Sequence, residues 1–210
     1  MRLRLLALTL ILSAGPGSAQ SAGRLPPVIG PLGGLNFATF GGQDADDAGG
    51  ILGFQAGLFG RFALNRHFAL APALVFTRQG AEADGTDFIV GGAIKLSYLE
   101  LPLMLQFGIP LSQRSRVYLE SGPAVAYKLG CTRDVGQGDA ALGYNCDYTL
   151  INTRRTEFSA HFGGGLEFSQ FFVGARYRLG LSSIDASDDQ LDIKNRGLAL
   201  MAGYGFRVGH

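Results

Sequence analysis

Beyond its first twenty residues, the sequence has no unbroken apolar run near the roughly 20 residues a spanning helix requires, so no helical membrane crossing is expected. No stretch repeats apolar residues at helical spacing. Net charge is also small, with 18 basic residues against 17 acidic ones, which gives no reason to invoke nucleic acid. Tryptophan is absent and histidine occurs only at His67, His161 and His210. The two cysteines have no histidines beside them and make a poor zinc set. Glycine is plentiful, with 32 residues, alongside 15 phenylalanines. Without a three-residue period this is not collagen, and long alternating segments argue against disorder.

The opening residues suggest export. Arg2 and Arg4 precede an apolar run from Leu5 to Ser13, and small residues follow up to Gly17-Ser18-Ala19, before Gln20. This is the pattern of a removable signal peptide. The expected division is a signal peptide at 1–19, a periplasmic segment at 20–32 and a single domain at 33–210. In an oxidising compartment Cys131 and Cys146, both in one predicted loop, are expected to form a disulfide. Closing that loop would stabilise the fold by roughly 3 kcal/mol.

From Gly33 onward, apolar and polar residues alternate in eight segments of membrane-strand length, near 33–40, 52–64, 67–78, 95–108, 116–129, 156–168, 171–182 and 196–208. Long connections at 41–51, 79–94, 130–155 and 183–195 alternate with short ones at 65–66, 109–115 and 169–170. That order predicts an all-β fold: an eight-stranded antiparallel up-and-down transmembrane β-barrel, with long extracellular loops and short periplasmic turns.

Residue size predicts which face meets lipid. The fourth segment sets Leu99, Leu101, Leu103, Leu105 and Phe107 against Tyr98, Glu100, Pro102, Met104 and Gln106. The sixth sets Phe158, Phe162, Leu166 and Phe168 against Glu157, Ser159, His161, Gly163, Gly165 and Glu167. An eight-stranded barrel has only enough room inside for side chains to fill it. The bulky set is therefore expected outside, and the small and polar set inside. Charges in so confined a lumen need partners. A polar network of Arg61, Glu100, Glu120, Lys128, Glu157, His161, Glu167, Arg176 and Arg178 is expected, with no open pore. By position along the strands, Glu100, Lys128, Glu157, Arg176 and Arg178 fall in an outer tier. Arg61, Glu120, Glu167 and Arg207 fall in a periplasmic one.

The residues also suggest other chemistry. His161 with Ser159 and Glu157 invites a hydrolase triad, but residues two apart stack along one strand, and substrate would have to enter a packed interior. A lumen network is the better reading, with no catalytic residues. Asp44, Asp46, Asp47, Asp185, Asp188, Asp189 and Asp192 offer carboxylates to a hard cation. Their spacing matches no calcium loop, so no metal site is expected. Gly163-Gly164-Gly165 lies mid-strand with no helix after it, unlike a phosphate cradle. No cofactor is expected.

The run Leu96-Ser97-Tyr98-Leu99-Glu100-Leu101-Pro102-Leu103 resembles the most recognisable segment of the outer membrane protein β-barrel domain family, also labelled porin-family or PorT-like. Gly33-Gly34-Leu35-Asn36 resembles that family's opening strand. The stretch Leu70 to Thr77 with Gly80 resembles its third. Gly122-Pro123 and Gly203-Tyr204-Gly205-Phe206 resemble its fifth and last. The resemblance implies an outer-membrane barrel inserted by the envelope's barrel-assembly machinery. One departure is that such barrels commonly end on an aromatic residue, whereas Arg207-Val208-Gly209-His210 follow Phe206 here.

The expected function is that of a non-enzymatic structural or interaction barrel, monomeric and seated in outer-membrane lipid. Its four long loops would meet an envelope or extracellular partner. The alternatives are a narrow channel for small solutes, a lipid-modifying enzyme, or an accessory component of a protein-secretion apparatus.

Overall fold

Alternating apolar residues cannot hide one face in a helix, but they can in a pleated strand, and every element of the described chain is a strand. The computed structural model describes residues 26–41, 49–83, 92–135, 142–145, 155–182 and 194–208. The strands are β1 (Val28–Gly41), β2 (Gly49–Ala63), β3 (Phe68–Ala83), β4 (Gly92–Pro110) and β5 (Ser115–Val135). They continue with β6 (Leu142–Asn145), β7 (Thr156–Phe168), β8 (Phe171–Gly180), β9 (Lys194–Tyr204) and β10 (Phe206–Arg207). Each barrel strand pairs antiparallel with its neighbour, and β1 closes the ring by pairing with β9 and β10. Since β9 and β10 form one interrupted stave and β6 pairs only with β5, the barrel is eight-stranded. A closed ring leaves no backbone donors or acceptors unpaired towards lipid.

The last stave breaks where a donor is missing. Leu32 faces Gly203 and Ile29 faces Phe206, so Pro31, which has no N–H, falls opposite the interruption. The N–H of Gly205 donates instead to the Gln170 carbonyl at 2.7 Å.

The two faces divide by size as expected. Leu101, Phe162 and Leu200 are 52, 52 and 61 % exposed, while Tyr98, Met104 and Glu157 on the lumen side are at 1, 0 and 2 %. Polar residues inside and leucine outside is the arrangement lipid requires. From Leu99 to Ile109 the outward face of β4 is wholly apolar. At about 3.3 Å per residue and ~40° of tilt that stretch rises roughly 25 Å, the height of the lipid-facing band. At the end carrying the short turns, Phe68 packs near Phe107, with ring centroids 5.3 Å apart, and Tyr204 packs between Phe171 (4.8 Å) and Phe206 (4.9 Å). These rings form an aromatic girdle at the periplasmic interface. The Tyr204 hydroxyl donates to Gln170 beside it.

Several boundaries differ from the sequence expectation. β1 begins at Val28, so residues 28–32, expected in a periplasmic segment, belong to the barrel. Its lumen-facing Val28, Gly30 and Leu32 alternate with outward Ile29 and Pro31, a pattern that two glycines and a proline obscure. Residues 79–83, 92–94, 130–135 and 142–145, expected in loops, are strand. Ladder hydrogen bonds run on to Ala83↔Gly92 and Gly92↔Val135. Above the lipid a strand needs backbone partners but no apolar face, so the alternation that reveals it fades. At the opposite end the connections are tight, at 64–67, 111–114 and Ser169–Gln170.

Candidate functional site

The lumen is built by the inward positions of all eight staves, and long side chains lie over glycines on neighbouring strands. A Cβ at Gly165 or at Gly174 would come within 2.7 Å of the Tyr118 hydroxyl, so these two glycines make the seat for that ring. Gly108 seats the Arg116 guanidinium and Gly203 the Phe172 ring in the same way, since a Cβ at either position would overlap them. Gly163 and Gly165, the inward-facing members of the Gly163-Gly164-Gly165 run, therefore create room in the lumen.

Three charged groups fill the interior. In the outermost, Glu100 Oε1 lies 2.9 Å from His161 Nε2, and Arg178 lies 3.6 Å from Glu100 and 3.4 Å from Glu157. Asn195 Nδ2 donates to Glu157 at 2.6 Å and approaches the Tyr98 hydroxyl at 3.4 Å. The Arg178 guanidinium also stands 5.8 Å from the Tyr98 ring centroid, a cation–π distance. In the middle group Arg176 Nη2 meets Glu120 at 2.7 Å, its Nε donates to the same oxygen at 2.8 Å, and Gln106 donates to the other oxygen at 3.0 Å. Nearby, Asn36 donates to Thr77 at 2.8 Å. At the periplasmic mouth Glu167 lies between Arg61 (3.4 Å) and Arg116 (3.5 Å). Lys128 is buried, opposite Tyr98 in register.

The structure thus brings Glu100, Glu157, His161 and Arg178 together, and separately Glu120 with Arg176. Arg176, expected in the outer tier, pairs with a carboxylate expected in the periplasmic one. Counting along strands ignores the stagger that barrel closure imposes on neighbouring staves. Sequence reasoning missed Asn195, placed in a loop, and Arg116. The series Arg116-Tyr118-Glu120 has one parity, and extending it by one position would have found Arg116.

Between the middle group and the mouth lies an apolar layer. Phe59 and Phe172 meet edge to face at 4.9 Å and pack on Leu32, Ala73 and Val75. The cavity above, lined by Asn36, Thr77, Glu100, His161, Arg176 and Arg178, holds only about 30 Å³, the room of one or two water molecules.

Ser159 Oγ lies 3.0 Å from His161 Nε2, which tests the triad idea directly. The Glu100 carboxylate sits on that same nitrogen, and Nδ1 has no hydrogen-bond partner. A hydrolytic triad needs the nucleophile on one ring nitrogen and the orienting acid on the other. This geometry instead ties down a histidine in a packed interior. Among the described residues no group of three or more His, Cys, Asp or Glu could hold a metal ion. The aspartates of 44–47 and 185–192 lie outside the described residues, as does Cys146. Cys131 is buried near the outer end of β5, opposite Leu96.

Comparison with solved structures places this architecture among small outer-membrane barrels. Neisserial surface protein A has a TM-score of 0.50 and 12% identity, over 85% of this chain and 97% of that one. Ail of Yersinia pestis, solved with the heparin analogue sucrose octasulfate, has a TM-score of 0.45 and 18% identity, over 87% and 100%. The outer membrane enzyme PagL has a TM-score of 0.45 and 15% identity, over 85% and 98%. At these identities the likeness concerns the fold alone. Among curated proteins none matches the sequence. The family described as outer membrane protein β-barrel domain matches residues 19–186, which implies an outer-membrane location. With that match over most of its length, and with a closed antiparallel barrel that is apolar outside and polar within, the chain belongs to the outer membrane protein β-barrel domain family.

Proposed function

We propose that this chain is a non-enzymatic outer-membrane anchor that presents a recognition surface to a partner in the envelope or outside the cell. One observation carries the reading. The lumen is occupied by paired charges and an apolar layer, while the β3–β4–β5 ladder runs on past the lipid-facing band. Gly92 stands roughly 18 Å further along the membrane normal than Leu99. β6 then pairs with β5 at Leu142–Asn145 and broadens that extension. Rigid scaffolds that carry loops at one end commonly serve recognition.

In this reading the partner meets connections 41–51, 79–94, 130–155 and 183–195. The barrel acts as a monomer, inserted by the assembly machinery after removal of a signal peptide at Ala19. A Cys131–Cys146 disulfide would brace the broadest connection. Its support is the register Thr132↔Asn145, because the next pair on that ladder towards the membrane would be 131 and 146.

Site-specific crosslinking from 130–155 in whole cells tests the proposal. It predicts discrete adducts that disappear when the β5–β6 extension is shortened while the barrel still inserts. Crosslinks only to lipid would count against it. A narrow channel, or an accessory role in secretion, are the other readings. Large, stable unit steps in a planar bilayer would favour the channel, and the Phe59–Phe172 layer argues for none.

A further inference from the structure

At the periplasmic end the lumen opens into an axial basin of about 370 Å³, within the size range of small-molecule sites. Its charged lining is one-sided: Arg61, Arg66, Arg114, Arg116 and Arg207 face a single acidic residue, Glu167. Glu167 lies between Arg61 and Arg116 at 3.4 and 3.5 Å, so one carboxylate serves two guanidiniums. For Arg66, Arg114 and Arg207 the described residues supply no carboxylate in the basin. Asp134, the one aspartate among the described residues, lies at the far end of β5 from this basin.

The rim is held in shape. Asn65 Oδ1 accepts from the N–H groups of His67 and Phe68, both at 2.8 Å, which fixes the turn carrying Arg66. The Arg114 N–H donates to Ser112 Oγ at 3.2 Å, and its carbonyl accepts from the Ser169 N–H at 2.6 Å. That bond ties the 111–114 turn to the next one, where Ser169 takes the left-handed conformation, φ 59°. Cations gathered in a concave, ordered site create a potential that draws anions, and planar guanidiniums suit phosphoryl oxygens in particular.

We propose that this basin binds a phosphate-bearing anion on the periplasmic side of the membrane. The inference is independent of the surface-recognition reading, because it concerns the opposite mouth. The phosphate comes either from a soluble phosphorylated compound or from a phospholipid headgroup of the inner leaflet.

The test uses the full chain in phosphatidylcholine nanodiscs, titrated with inorganic pyrophosphate and followed by calorimetry and 31P line width. Saturable binding is expected, weakening with salt as the screening length falls from roughly 10 Å at 0.1 M to about 3 Å at 1 M. R66Q/R114Q, confined to exposed turns, should weaken it roughly tenfold, while R155Q at the other end should leave it unchanged. E167Q should move affinity in the opposite direction. Heat-modified gel mobility confirms that each variant is folded. Absence of saturable binding to the folded wild type would overturn the proposal, as would equal affinity in wild type and R66Q/R114Q. Adding phosphatidylglycerol to the nanodiscs separates the sources. Competition in the wild type but not in R66Q/R114Q identifies a lipid headgroup, and no competition identifies a soluble phosphate compound.

Discussion

Arg178 is the cation on which the outer lumen depends, and replacing it with methionine tests the network directly. The substitution keeps most of the side-chain length and leaves two carboxylates, Glu100 and Glu157, with side chains only 7 and 2 % exposed. Glu100 keeps His161 at 2.9 Å, and Glu157 keeps the Asn195 amide at 2.6 Å. Neither remaining partner replaces the shared guanidinium. Breaking a buried ion pair by removing one member costs about 3–5 kcal/mol, because the other charge stays behind without compensation. For a fold whose total stability is on the order of 5–15 kcal/mol, that is a large fraction. The assay is urea unfolding in lipid vesicles, with heat-modified gel mobility as a second probe. R178M should lower stability by about 3 kcal/mol or more. The triple variant R178M/E100Q/E157Q, which removes the charges together, should recover most of the loss. If R178M cost under about 1 kcal/mol, the value of an exposed pair, the group would be solvated and the closed lumen would be wrong. A triple variant less stable than R178M would refute the charge argument in a different way.

Other outcomes follow from the same structure. Leu101→Arg, on the lipid face of β4, should destabilise the inserted barrel by about 2–4 kcal/mol. Arginine at the turn position Gln113 should have little effect, and equal costs in vesicle unfolding would contradict the assigned face. Gly174→Val should cost about 1–3 kcal/mol through overpacking against Tyr118, and a Tyr118→Ala background should relieve part of that cost in a double-mutant cycle. Reduction should change the non-boiled gel mobility of the wild type, and Cys131→Ser should reproduce the change with a loss of roughly 3 kcal/mol. Identical mobility with and without reductant would remove the disulfide.

The number of staves and the face each presents were legible because lipid imposes a strict rule on outward positions. Leucine and phenylalanine at every second residue from Leu99 to Phe107 of β4, and at Phe158, Phe162, Leu166 and Phe168 of β7, left little choice. What lipid does not touch was harder to read. The outer part of β5, including Thr132 and Arg133, is strand only because β4 and β6 pair with it. Neighbouring staves are staggered, so residue counts alone could not match Arg176 to Glu120. Asn195 was hidden by its surroundings, since it follows an acidic stretch that reads as loop, yet β9 begins just before it. The lumen charges were identifiable one by one from strand parity, but their grouping needed three dimensions. The basic mouth was harder still, because Arg66 and Arg114 belong to turns and join Arg61, Arg116 and Arg207 only when the ring closes.

The glycine seats also restrict how this interior can drift over generations. Tyr118 rests on Gly165 and Gly174, Phe172 on Gly203 and Arg116 on Gly108. Enlarging a seat is harmful while its occupant remains, and trimming an occupant opens a void while its seat stays small. Viable change should therefore come as linked exchanges on adjacent strands, large for small on one and small for large on the other. A homologue that lacks the tyrosine should carry a larger residue in place of Gly174, while Gly165 stays small because the Val173 carbonyl also crowds it.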